Sequence, residues 1–103
     1  MDRIEKLQEL LKINPDDSFV RHALALEYIK LGKNAEAREL FERLLEKQPG
    51  YVGSYYHLGK LLERVGETQQ AIKVYEKGME QAKKAGDNHA YNELRGVYDE
   101  LTG

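Results

Sequence analysis

The sequence has no cysteine and no tryptophan, and only two prolines, Pro15 and Pro49, interrupt its 103 residues. Without cysteine there is no disulfide scaffold, no thiol nucleophile and no thiolate zinc site. Val, Ile and Thr are sparse beside Leu, Glu, Lys and Ala, which are helix formers, so the composition leans all-α. No apolar run is long enough to span a bilayer. The opening MDRIEKLQELL is amphipathic and charged, unlike a secretion signal. No basic block is present to track a phosphate backbone, because 16 basic and 18 acidic residues are mixed along the chain to a net charge of −2. These absences argue against a nucleic-acid partner and against a membrane partner, and the expected compartment is cytoplasmic.

What is present fits a helical assembly. The chain is about one domain long, and its 41% hydrophobic content is set against 33% charged residues. That pairing suits a thin core with heavily solvated helix faces.

Shifting the chain against itself by 34 residues brings Pro15 onto Pro49, Leu24 onto Leu58, Gly32 onto Gly66, Ala37 onto Ala71 and Phe41 onto Tyr75. Small residues coincide at Ala25 and Gly59, and large apolar ones at Leu45 and Met79. Rare residue types coincide too often for chance, so the chain is read as a tandem repeat.

Each period predicts two amphipathic helices separated by turn chemistry. The first spans 18–31 and stops at Gly32, a residue suited to the left-handed position that ends a helix. Asn34 is expected to cap the next helix, 34–47. There Ala37, Leu40, Phe41, Leu44 and Leu45 follow i, i+3, i+4 spacing, and Pro49 closes it. The second period predicts helix 52–65, then Gly66, a Thr68 cap and a helix over 68–84. Helices at 2–13 and 88–101 flank these, each with one polar face. Helix 18–31 is apolar on nearly every side, so the two end helices are expected to cap the stack.

Here the residues resemble the tetratricopeptide repeat (TPR) family, whose helix-turn-helix unit follows W-x2-L-G-x2-Y…A-x3-F…P. The first repeat has Leu24-Ala25-x2-Tyr28, then Gly32, Ala37, Phe41 and Pro49. The second has Tyr55-x2-Leu58-Gly59-x2-Leu62, then Gly66, Ala71 and Tyr75, and the last helix has Tyr91-x2-Leu94-x3-Tyr98. Two residues depart from the pattern: Arg21 stands where an aromatic is usual, and Lys83 where the closing proline would be. The resemblance implies an all-α fold, a right-handed solenoid of antiparallel helix pairs in a single domain over 1–103. Its parts are an N-terminal helix at 2–13, repeats at 18–51 and 52–85, and a C-terminal capping helix at 88–101.

The resemblance also implies a non-catalytic protein-interaction module, a scaffold or adaptor whose first-type helices line a concave surface for a peptide or protein segment. On helix 18–31 the core stripe is Leu24, Ala25 and Tyr28, which leaves Phe19, His22, Leu26 and Ile29 as a second stripe. Shifted by 34 residues, that stripe continues to Gly53, Tyr56, Lys60 and Glu63 and, after a slip of two, to His89, Asn92, Gly96 and Asp99, with Lys30 and Arg64 at its edge. From it are taken Phe19, His22, Leu26, Ile29, Tyr56, Lys60, Arg64 and Asn92. These eight residues are the expected partner-binding positions, and Phe19, Leu26 and Ile29 are expected to be exposed apolar groups. The alternative is self-association of the chain, as a homodimer, through the same strip.

Chaperone-binding TPR domains hold a peptide's terminal carboxylate with lysine, asparagine and arginine. The matching positions here are His22, Leu26, His57, His89 and Glu93, which do not make such a clamp, since histidine is mostly uncharged at neutral pH. Three histidines on separate helices about 10 Å apart do not suit metal–nitrogen bonds of about 2.1 Å, so no metal or other cofactor is expected. Ser18 with His22 and Ser54 with His57 are read as ordinary surface pairs lacking an orienting carboxylate. With no glycine-rich phosphate loop either, no catalytic residue is assigned.

Overall fold

The computed structural model describes residues 2–103. Its six helices are α1 (Arg3–Ile13), α2 (Ser18–Lys30), α3 (Asn34–Lys47), α4 (Gly53–Arg64), α5 (Thr68–Ala85) and α6 (Asn88–Thr102), with no strand among the described residues. Each helix end falls within one residue of its expected position.

The repeat's glycines end the first-type helices as expected. Gly32 (φ 74°) and Gly66 (φ 83°) both adopt the left-handed conformation that glycine takes without a Cβ penalty. At each, two reversed hydrogen bonds close the last turn: Lys33 N–H to the Tyr28 carbonyl at 2.9 Å and Gly32 N–H to Ile29 at 3.0 Å, then Glu67 to Leu62 at 2.8 Å and Gly66 to Glu63 at 3.1 Å.

These turns correct the two expected caps. Asn34 and Thr68 are the first helical residues, and Lys33 and Glu67 occupy the cap positions without side-chain capping bonds. The tight turn leaves no spare residue. The N–H of Lys33 closes α2, while its carbonyl already accepts from Ala37 N–H at 3.1 Å to open α3. Side-chain caps form at three other helix starts, where an Asp stands in the cap position. One of them, Asp87, sits in a turn as tight as that of Lys33, its N–H closing α5 on Ala82 at 2.9 Å and its carbonyl accepting from Tyr91 N–H at 3.0 Å. Asp2 accepts from Glu5 N–H, Asp17 from Val20 and Asp87 from Ala90, at 2.8, 3.1 and 3.0 Å. Gly86 (φ 70°) ends α5, which has run past Lys83.

The chain divides into two compact units, Met1–Gln48 and Pro49–Gly103. In the first, α2 is the middle helix, packed on α1 and α3. Leu7, Val20, Ala23 and Leu24 form a buried cluster ringed by Ile4, Leu11, Tyr28 and Leu40. From α3, Ala37, Phe41, Leu44 and Leu45 are buried. Gln8 Nε2 donates to Tyr28 Oη at 2.9 Å, and Glu27 accepts Lys30 at 3.1 Å and Arg3 at 3.3 Å, which ties α1 to α2. The hydrogen bond from Lys30, with help from Arg3, holds the Glu27 carboxyl below its usual range against some desolvation.

In the second unit α5 is central, packed on α4 and α6. Glycines let the helices close. A Cβ built on Gly59 of α4 would overlap the Tyr75 ring of α5, and one on Gly78 of α5 would lie 2.6 Å from Tyr55 Cβ and 2.9 Å from Leu94 Cδ1. Each buried tyrosine therefore rests on the other helix's glycine. Ala25, Ala37 and Ala71, expected at close helix approaches, are fully buried.

Candidate functional site

Within the first unit, the residual stripe of α2 is only partly the apolar surface that was expected. Phe19, in the first turn, is 70% exposed. Leu26 and Ile29 are half-buried instead of exposed. α2 is the middle helix of its unit, so less of its circumference reaches solvent than on an outer helix. His22 is half-buried and packs edge-on to Phe41 at 5.7 Å between ring centroids.

Within the second unit, Tyr56 and Lys60 lie one turn apart on α4 and therefore share a face. Tyr56 is half-buried, its ring 5.6 Å from and nearly perpendicular to that of His57. Lys60 Nζ sits 3.8 Å from Glu63 Oε2, Arg64 is exposed in the last turn, and Asn92 is exposed on α6.

Glu63 is absent from the eight expected residues, yet it organises this face. It pairs with Lys60 and accepts a hydrogen bond from the buried Tyr75 hydroxyl. Its place on the shifted stripe, 34 residues after Ile29, and its i, i+3 spacing from Lys60 were the available sequence signals. Burial above all, and then the bond to Glu63, keep the Tyr75 phenol protonated far above the ordinary tyrosine range. Burial also pushes the His57 pKa down, opposed by the nearby Glu93 carboxylate. His57 is therefore a neutral donor or acceptor at neutral pH. His89 is freely exposed, with Nε2 3.8 Å from Glu93.

The serines of the two serine–histidine pairs sit in different settings. Ser18 Oγ is hydrogen-bonded to the Gln48 side-chain amide oxygen. Ser54, read as a surface residue, is fully buried. It falls 34 residues after Val20, itself buried, and so inherits a core position. Among the described residues no three His, Asp or Glu side chains converge as metal ligands would. What these faces offer is aromatic and aliphatic area interleaved with a few donors.

A family profile described as tetratricopeptide repeat matches residues 22–88. The chain belongs to the tetratricopeptide repeat family. A TPR repeat-containing protein of Pseudomonas aeruginosa is 30% identical over 91 residues, spanning 88% of this chain and 87% of that protein. Among solved structures, a tetratricopeptide repeat domain protein from Salinibacter ruber is 43% identical with a TM-score of 0.81, covering 85% of this chain and 89% of its own. The TPR2B domain of yeast Sti1, solved in a pHsp70 complex, superposes with a TM-score of 0.88 over 96% of this chain and 79% of its own. At 19% identity that likeness is one of fold alone. TPR folds generally mediate protein–protein interaction, and among the described residues no helix of this TPR chain is long and apolar enough to cross a membrane.

Proposed function

We propose that this chain is a non-catalytic adaptor that holds a peptide or protein segment on the residual faces of its first-type helices. In the first unit the face is Phe19, His22, Leu26 and Ile29. In the second it is Tyr56, Lys60 and Arg64 of α4 with Asn92 of α6. The observation that carries this reading is Phe19, an aromatic 70% exposed on a helix whose other large apolar groups are at least half-buried. Tyr56 is the favoured anchor, since its ring supplies area and its hydroxyl a donor beside Lys60.

The test is to recover a partner by pull-down from the source cell and measure its affinity for Tyr56→Ala beside Glu42→Lys, a control on α3. A loss of about 2 kcal/mol in Tyr56→Ala marks a hot spot. Unchanged affinity there, with loss in the control, places the site elsewhere. A second reading, self-association through the same strip, is also favoured by Phe19. A mass that doubles with concentration in light scattering supports it, and a constant monomer mass excludes it.

A further inference from the structure

Arg21 of α2 and Tyr55 of α4 occupy the same repeat position, 34 residues apart. Both side chains donate to the carbonyl of the proline six residues upstream. Tyr55 Oη reaches Pro49 at 2.7 Å, while Arg21 Nε and Nη2 reach Pro15 at 3.2 and 2.6 Å. The hydrogen bond is retained while the group that makes it changes from a ring to a guanidinium.

The two residues differ in what they fill. Tyr55 is 2% exposed and rests against Gly78. Arg21 stays half-buried, and beside it a groove of about 430 Å³ opens among α1, α2 and α3. Its apolar lining is Leu11, Leu24, Tyr28 and Leu40. That volume is within the range of ligand-holding clefts.

The groove is also polarised. Short connections make α1 and α3 antiparallel to α2, so Lys12 and Arg43 line the Arg21 end while Glu36 lies toward the Tyr28 end. Glu39 is held by Arg43 at 3.1 Å, and Lys12 by Glu9 at 3.4 Å. Arg21 pairs with no carboxylate among the described residues. Its acceptor is the neutral Pro15 carbonyl, which takes two of the five guanidinium N–H groups and leaves three directed elsewhere.

We propose that this groove is a second docking site, for a partner protein segment that carries an aliphatic side chain next to a carboxylate. The aliphatic group covers the half-buried Leu11, Tyr28 and Leu40 above the buried Leu24, and the carboxylate takes the open N–H groups of Arg21. A planar guanidinium already oriented by Pro15 loses little freedom on binding. The site is independent of the face proposed above. At about 100° per residue, Arg21, Leu24 and Tyr28 lie on the opposite side of α2 from Phe19, His22, Leu26 and Ile29.

The experiment titrates ¹⁵N-labelled chain with acetyl-Leu-Leu-Asp-amide and with its Asn counterpart, following amide shifts. The Asp peptide should shift residues of α1, α2 and α3 around Arg21 saturably. Affinity should fall about tenfold for the Asn peptide, which forfeits a charge-assisted bond, and to a similar extent for Arg21→Tyr, which restores the ring found at Tyr55. Arg21→Gln, which empties the charge without filling the groove, should weaken binding likewise, and thermal melts establish that both variants fold. Absence of saturable shifts, equal binding of the Asn peptide, undiminished binding by folded Arg21→Tyr or Arg21→Gln, or shifts confined to the Tyr56 face would each overturn the proposal. Only the last of these outcomes bears on the Tyr56 face, and it would support that site while overturning this one.

Discussion

Tyr55 of α4 rests its Cβ on the bare backbone of Gly78 in α5, where an added methyl group would sit 2.6 Å away. The contact makes one substitution act in opposite directions at two places. Gly78→Ala gains about 1 kcal/mol of helix propensity but overpacks a site where the opposing atom is a Cβ, which cannot swing aside, at a cost of about 1–3 kcal/mol. Gly96 of α6 has nothing within 4 Å of its added Cβ, so Gly96→Ala retains the propensity gain. Urea midpoints should fall for the first variant and rise for the second. The same sign in both would contradict the packing.

Ala37 and Ala71 are fully buried 34 residues apart. Replacing either with Leu should cost about 1–3 kcal/mol by overpacking. An unchanged denaturation midpoint in both variants would mean that the helix faces are misassigned.

The depressed pKa of His57 predicts a pH dependence. Folding favours its neutral form, so its stabilising contribution is complete above the ordinary histidine value of 6.5 and is lost as pH falls through the lower folded-state value. Wild type should lose stability between neutral and mildly acid pH more steeply than His57→Gln, which cannot titrate. Parallel stability curves for the two proteins would refute the assignment.

Lys60→Glu sets a second carboxylate beside Glu63, with which Lys60 now pairs at 3.8 Å. It should weaken partner binding less than Tyr56→Ala does, and the loss should shrink as salt rises, because an exposed charge is screened. Calorimetry at low and high ionic strength checks both statements. A salt-independent loss would point to altered packing instead.

The repeat explains why so much of the fold was legible. Coincidence of Gly32 with Gly66 and of Pro15 with Pro49 marks where helices stop, since glycine and proline act on the local backbone whatever surrounds them. Ser54 shows how the same shift could have been used further. Its partner Val20 lies on an apolar face, and a serine in that register is carried into the core despite its hydroxyl. The caps at Asn34 and Thr68 were misread because residue preference is only a tendency, and the turn at Gly32 spends Lys33 on both helices at once.

The proposed binding face was less legible than the fold. Phe19, Tyr56 and Lys60 followed from helical spacing, but spacing does not show how much of a helix its neighbours cover, which is why Leu26 and Ile29 are half-buried. Nor does it show that Glu63 takes the Tyr75 hydroxyl, a bond between α4 and α5 that depends on how the two helices are set.

The helices, their order and the small residues at their crossings follow from local propensity and from a period repeated along the chain, so they can be read before any folding is considered. That Arg21 and Tyr55 reach the same repeat carbonyl with side chains of two different volumes emerges from the packed helices alone. A carbonyl can be reached by any donor of the right length, whereas a cavity is defined by side chains from α1, α2 and α3 that meet only once the chain has folded.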